Sequence, residues 1–139
     1  LVNTDADPNK GQERAAALIQ ANPDLKALIG TDSVGGAAAA RAVKEAGKVG
    51  EILVLGMDRD EDLLGYIKEG TVTATVASKS FSTKWLAMHY VYWILNDMIK
   101  DVSDWKAAGI NPVPRVTDTG NMIIDASNVD IFLNDLENQ

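Results

Sequence analysis

A chain of 139 residues with 46% hydrophobic content is sized for one compact domain, burying about 68% of its unfolded surface without help from disulfides or a metal. Its formal charge of −7, without a basic stripe, argues against a phosphate-binding or nucleic-acid-binding surface. The absence of cysteine removes disulfide frameworks, thiolate metal sites and Cys nucleophiles.

The chain opens at Leu1, without Met, on what reads as the end of a strand, and a piece of a longer protein is expected. Asn9 to Ala21 carries apolar Ala15, Leu18 and Ile19 at helical spacing and stops at Asn22-Pro23. Leu25 to Ile29 is a short apolar run, hence a buried strand. Ser33 to Ala46 is Ala-rich, ends at Gly47 and predicts a helix. Ile52 to Leu55 is a second buried strand, Glu61 to Lys68 a helix ended by Gly70, and Thr73 to Ala77 a β-branched third strand. A long helix is predicted from Ser82 to about Lys100. Asp101 to Arg115 is irregular, Val116 to Ile124 holds an extended stretch broken near Gly120, and Asn128 to Leu136 closes as a helix.

Short buried strands alternating with helices imply βαβ units and a parallel sheet covered on both faces. Ligands of such sheets bind at the carboxyl ends of the strands. Three pairs stand there: Thr31-Asp32, Met57-Asp58 and Ser78-Lys79. They are expected to line one edge of the sheet.

The run from Asp58 to Asp62 holds four acids in five positions. With Glu69 it resembles a calcium loop, but the position that should be Gly for the sharp turn is Leu63. Asp60, Glu61 and Asp62 are explained as first-turn acids at the positive end of a helix. That leaves Asp58, between strand and helix, as the ligand candidate, an acceptor for hydroxyl groups. The segment TDSVGGAAAARA lacks both the dinucleotide and the phosphate-loop spacing. Helix capping is the simpler role for Asp32 and Ser33. His89, within FSTKWLAMHYVYWIL, is expected to be a packed or partly exposed side chain. No catalytic constellation stands out, so an enzyme is not expected, and neither a cofactor nor a metal is implied.

The stretches NPDLKALIGTDSVGGAAAARAVKEAG, EILVLGMD, YIKEGTVTATVASKSF and MIIDASNVDIF, in this order, resemble the C-terminal half of type I periplasmic sugar-binding proteins of ABC transporters, the ribose-binding-like group. The resemblance implies a three-layer, doubly wound, mostly parallel α/β sheet, with two lobes closing over a sugar by hinge motion. Residues 1–78 would be the C-terminal lobe, 79–112 a crossover helix packing on an N-terminal lobe, and 113–139 a return crossover, strand and terminal helix.

The family's sugar-binding Asp falls on Asp58, its polar residue before the strand-end Asp, often Asn, on Thr31, and its Gln at the third crossover on Ser78. An aromatic that stacks on sugar in ribose-type members falls on Ala6. Ala6 removes a stacking surface, and Thr31 and Ser78 are shorter than the amides they replace, so the resemblance implies a wider pocket or a ligand other than ribose. Lys79 could reach an acidic ligand. Implied partners are a small sugar or polyol, the N-terminal lobe and an ABC permease, in an extracytoplasmic compartment. The alternative is a sugar-sensing domain of a repressor or membrane receptor with the same fold. Phe81, Trp85, Met88 and Tyr92 are expected to face the N-terminal lobe.

Overall fold

The computed structural model describes residues 1–99 and 101–137. In chain order the elements are α1 (Pro8–Ala21), β1 (Ala27–Ile29), α2 (Gly35–Glu45), β2 (Leu53–Met57), α3 (Glu61–Lys68), β3 (Ala74–Ser78), α4 (Ser80–Leu95), β4 (Asn121–Asp125) and α5 (Val129–Glu137). The chain forms two compact units, Leu1–Ala77 with Met122 onward, and Ser78–Asn121.

In the first unit, α1 begins where Pro8 fixes a helical φ and Asp7 caps the turn, accepting the N–H groups of Asn9 at 2.8 Å and Lys10 at 3.0 Å. Those two hydrogen bonds, to Lys10 first and Asn9 next, hold the Asp7 carboxyl below its ordinary range. The helix ends where Asn22 turns both its backbone N–H and its side-chain amide onto the Leu18 carbonyl. In α2 the run Ala37–Ala40 is buried. Small side chains let α1 and the sheet approach closely.

The sheet runs in the order β1-β2-β3-β4. β1 pairs with β2 and β2 with β3, both parallel, in registers that set Ile29 against Leu55 and Met57 against Val76. One alternating set of strand residues, Val54, Ala77 and Ile124, joins Ile19, Val43, Leu63, Leu64, Ile67 and Val129 in a single buried cluster. Helices α1, α2, α3 and α5 therefore form one layer on one face of the sheet. The other alternating set, Ile29, Leu53, Leu55, Met57, Val76 and Ile123, remains exposed. An apolar face of this kind is unusual on a parallel sheet, whose strands are normally covered on both sides.

Most elements stand within two residues of the sequence expectation. The stretch before Gly120 is the departure at the C-terminal side, because strand pairing begins only at Asn121.

In the second unit, α4 starts two residues before the predicted Ser82 and stops at Leu95 rather than near Lys100, which lies outside the described residues. The stop is local chemistry. Asn96 turns its N–H and its side-chain amide onto the Tyr92 carbonyl, and Asp97 adopts φ 54, which breaks the helical path. No residue of α4 is buried: Phe81 is 80% exposed, Trp85 52% and Leu95 77%. His89 is half-buried, takes the Trp85 carbonyl through Nδ1 at 2.8 Å, and stacks on the Trp85 ring at 3.8 Å. It is a packed side chain, as its apolar neighbours imply.

Candidate ligand-binding site

The start of α2 is wedged against two strand ends. A Cβ on Gly30, just after β1, would stand 2.2 Å from the Gly36 nitrogen, and one on Gly36 would stand 2.7 Å from the Cα of Gly56 in β2. Backbone meets backbone at both places. Only side-chain-free residues permit it, so these glycines bring the N-terminal end of α2 to the carboxyl ends of β1 and β2. Thr31 follows Gly30 after β1 and Asp58 stands two residues beyond Gly56, just after β2, so both stand at the carboxyl ends of neighbouring strands.

Asp58 is half-buried and left-handed, at φ 70. Its N–H donates to the Val76 carbonyl at 2.9 Å, and its own carbonyl accepts the Thr75 hydroxyl at 2.8 Å. Among the described residues its carboxylate makes no hydrogen bond or ion pair, which leaves the carboxylate oxygens for an external donor. The acids that follow belong to α3. Asp60 is its N-cap, Glu61 and Asp62 lie in the first turn, and Leu63 is fully buried in the core. Glu69 is engaged elsewhere, with Lys44 Nζ at 2.8 Å and the Thr71 hydroxyl at 2.9 Å.

Thr31 is exposed. Asp32 turns Oδ1 onto the N–H groups of Val34 at 3.2 Å and Gly35 at 2.6 Å, so it caps the approach to α2. Ala6 is exposed and left-handed, at φ 53, in a tight turn with Asp5 at φ 54. A groove of about 300 Å³ runs along the outer side of β1, lined by Leu1, Leu18, Leu25 and Leu28, with Thr31 and Asp32 at one end. Asp58 is not part of its lining. This groove is mostly apolar and lacks the convergent polar groups that fix a small polar ligand.

In the second unit, the Ser78 hydroxyl meets that of Ser80 at 3.2 Å, and Lys79 precedes α4, its carbonyl accepting Thr83 N–H and hydroxyl. The ammonium of Lys79 lies over Gly120, 3.3 Å from where a Cβ would be. The sequence reading overlooked Thr75. The signal was there: the alternation in TVTATVA puts Thr75 on the same buried face as Ala77, and a hydroxyl in that position needs an acceptor.

A D-ribose/D-allose-binding protein of Pseudomonas aeruginosa is 40% identical over 67 residues, covering 48% of this chain and 21% of that protein. The structure of a sugar-binding protein of a sugar ABC transporter from Bacillus halodurans superposes with a TM-score of 0.82 at 25% identity, over 91% of this chain and 43% of the other. That of AraP, an arabinose-binding protein from Geobacillus stearothermophilus, gives 0.81 at 23% identity, over 94% and 43%. The chain thus spans less than half the length of these two solved proteins and about a fifth of the Pseudomonas relative, and its sheet-and-helix arrangement is that of type I periplasmic binding proteins. The profile of the periplasmic binding protein domain matches residues 1–97; the chain belongs to that family.

Proposed function

We propose that this chain is the ligand-binding part of an extracytoplasmic solute-binding protein, which captures a small sugar or polyol in a cleft between two lobes and delivers it to an ABC permease. The observation that supports this best is Asp58. It is a carboxylate held at the end of β2, in a backbone conformation that costs stability, with its oxygens unengaged among the described residues. A carboxylate so placed accepts hydroxyl groups in bidentate fashion and rejects analogues that lack them. Thr31, exposed just after the neighbouring strand β1, would add a small polar contact.

Two apolar surfaces fit a larger protein. In the first unit the open face of the sheet would receive a second helical layer, and in the second unit the Phe81, Trp85, Met88 and Tyr92 face of α4 would receive the other lobe. Burying each such side chain contributes about 1.5–3 kcal/mol. Both surfaces would be covered by residues of a longer polypeptide, as the greater length of the matched proteins suggests.

Calorimetric titration of the longer polypeptide with D-ribose, D-allose, L-arabinose and a deoxy analogue of each tests the proposal. Saturable heat with at least one sugar and weaker binding of its deoxy analogue is expected. Absence of binding to a wide panel of sugars and polyols would contradict it.

A further inference from the structure

We propose that Thr75 is a positioning residue, whose buried hydroxyl fixes the left-handed backbone of Asp58 and so sets where the carboxylate is presented. The inference rests on the reading of Asp58 as a ligand contact and adds how the fold holds it there. Thr75 is 1% exposed, and its hydroxyl donates to the Asp58 carbonyl at 2.8 Å across 17 residues of sequence. The Asp58 N–H donates to the carbonyl of the next residue of the same strand, Val76, at 2.9 Å. Both backbone groups of Asp58 are therefore anchored on consecutive residues of β3.

A residue with a Cβ at φ 70 lies in a small, unfavourable region that Asn and Asp visit more readily than most residues. Left to itself, the peptide after Asp58 would relax toward an extended or right-handed conformation and carry the side chain with it. Either change moves the carbonyl that Thr75 holds. Val76, one residue on, supplies the ladder hydrogen bond but only through its carbonyl, so it would do so whatever its side chain. The hydroxyl is the one contribution at this point that depends on residue type. It cannot be moved along the strand, because the neighbouring side chains, Ala74 and Val76, carry no donor. A Cβ on Gly56 would stand 3.3 Å from the Thr75 hydroxyl oxygen, so the bare glycine leaves the hydroxyl its room.

The test compares wild type, Thr75→Val and Thr75→Ser in the longer polypeptide that contains this chain. D-Allose and D-ribose are titrated calorimetrically. In the same samples, labelled with ¹⁵N-Asp, the intraresidue amide–Hα NOE of residue 58 reports its left-handed φ. Thr75→Val is expected to weaken sugar affinity about tenfold, the worth of one hydrogen bond, and to weaken the NOE. Thr75→Ser, which keeps the hydroxyl, is expected to retain both. Should Thr75→Val fail to fold, Thr75→Ala removes the same hydroxyl without adding bulk. A Thr75→Val or Thr75→Ala protein with wild-type affinity and an unchanged NOE would overturn the inference, since a merely structural hydroxyl moves the melting temperature alone. If wild type bound no sugar, the proposed function would fail while the NOE still decided whether Thr75 positions Asp58.

Discussion

Gly36 of α2 and Gly56 of β2 touch through their backbones: a Cβ on Gly36 would stand 2.7 Å from the Gly56 Cα. The contact sets the depth at which α2 enters the sheet edge. Gly36→Ala should force helix and strand apart and cost about 1–3 kcal/mol in denaturant unfolding. Gly65 is the control. It lies inside α3 with nothing within 4 Å of its Cβ direction, so Gly65→Ala should stabilise by about 0.5–1 kcal/mol. Equal effects of the two substitutions would contradict the packing described.

Asp32 accepts two backbone N–H groups ahead of α2. Its replacement by Ala should cost about 1 kcal/mol of stability, and by Asn or Ser much less. Thermal unfolding of the three variants checks the order. A loss shared equally by all three would mean that capping is not what Asp32 contributes.

Much of this was legible in the sequence, and the gaps have physical causes. Short apolar runs ending in Thr31, Asp58 and Ser78 located the strands, because burial on a parallel sheet leaves its mark in composition. The acids after Asp58 were separable from it, because first-turn Glu61 and Asp62 follow from the helix dipole and Leu63 from core periodicity. The end of α4 was not legible. The apolar pattern continues to Met98, and the helix stops because Asn96 turns its side chain onto the Tyr92 carbonyl and Asp97 takes a left-handed φ of 54. The left-handed backbone of Asp58 was equally hidden, since it arises from anchors on β3 that are distant in sequence. Thr75 was read as a strand former because β-branching and a specific hydrogen bond select the same residue type.

Glu69 ties α2 to the turn after α3. Its carboxyl is held below its ordinary value of 4.5, first by the hydrogen bond from Lys44 and then by that from Thr71. A carboxyl depressed on folding contributes stability above its unfolded value, and that contribution is lost as pH falls through the folded value. Wild type should therefore lose stability below about pH 4.5 more steeply than Glu69→Gln. The two should differ by a constant amount above that range. Because the pair is exposed, the difference should be small and should shrink in high salt. Parallel pH profiles on the acid side would contradict the assignment.

Trp85 is 52% exposed on a helix with no buried residue. With Trp93 and Trp105 replaced by Phe, the fluorescence of Trp85 should be red-shifted and readily quenched by iodide in the 139-residue chain. It should be blue-shifted and protected in the longer polypeptide, if another lobe covers α4. Identical spectra in both would remove that lobe from the proposal.

The most direct measurement is the sugar affinity of Asp58→Asn. Asn tolerates the left-handed backbone and keeps the shape of the side chain, so the variant removes the charge and one acceptor while leaving the fold in place. Titrated in the longer polypeptide against whichever sugar wild type binds, it should lose about tenfold to a hundredfold in affinity. Its melting temperature should be equal to or above that of wild type. An unchanged affinity in the folded variant would show that the ligand is held without Asp58, and the account of this site would fail.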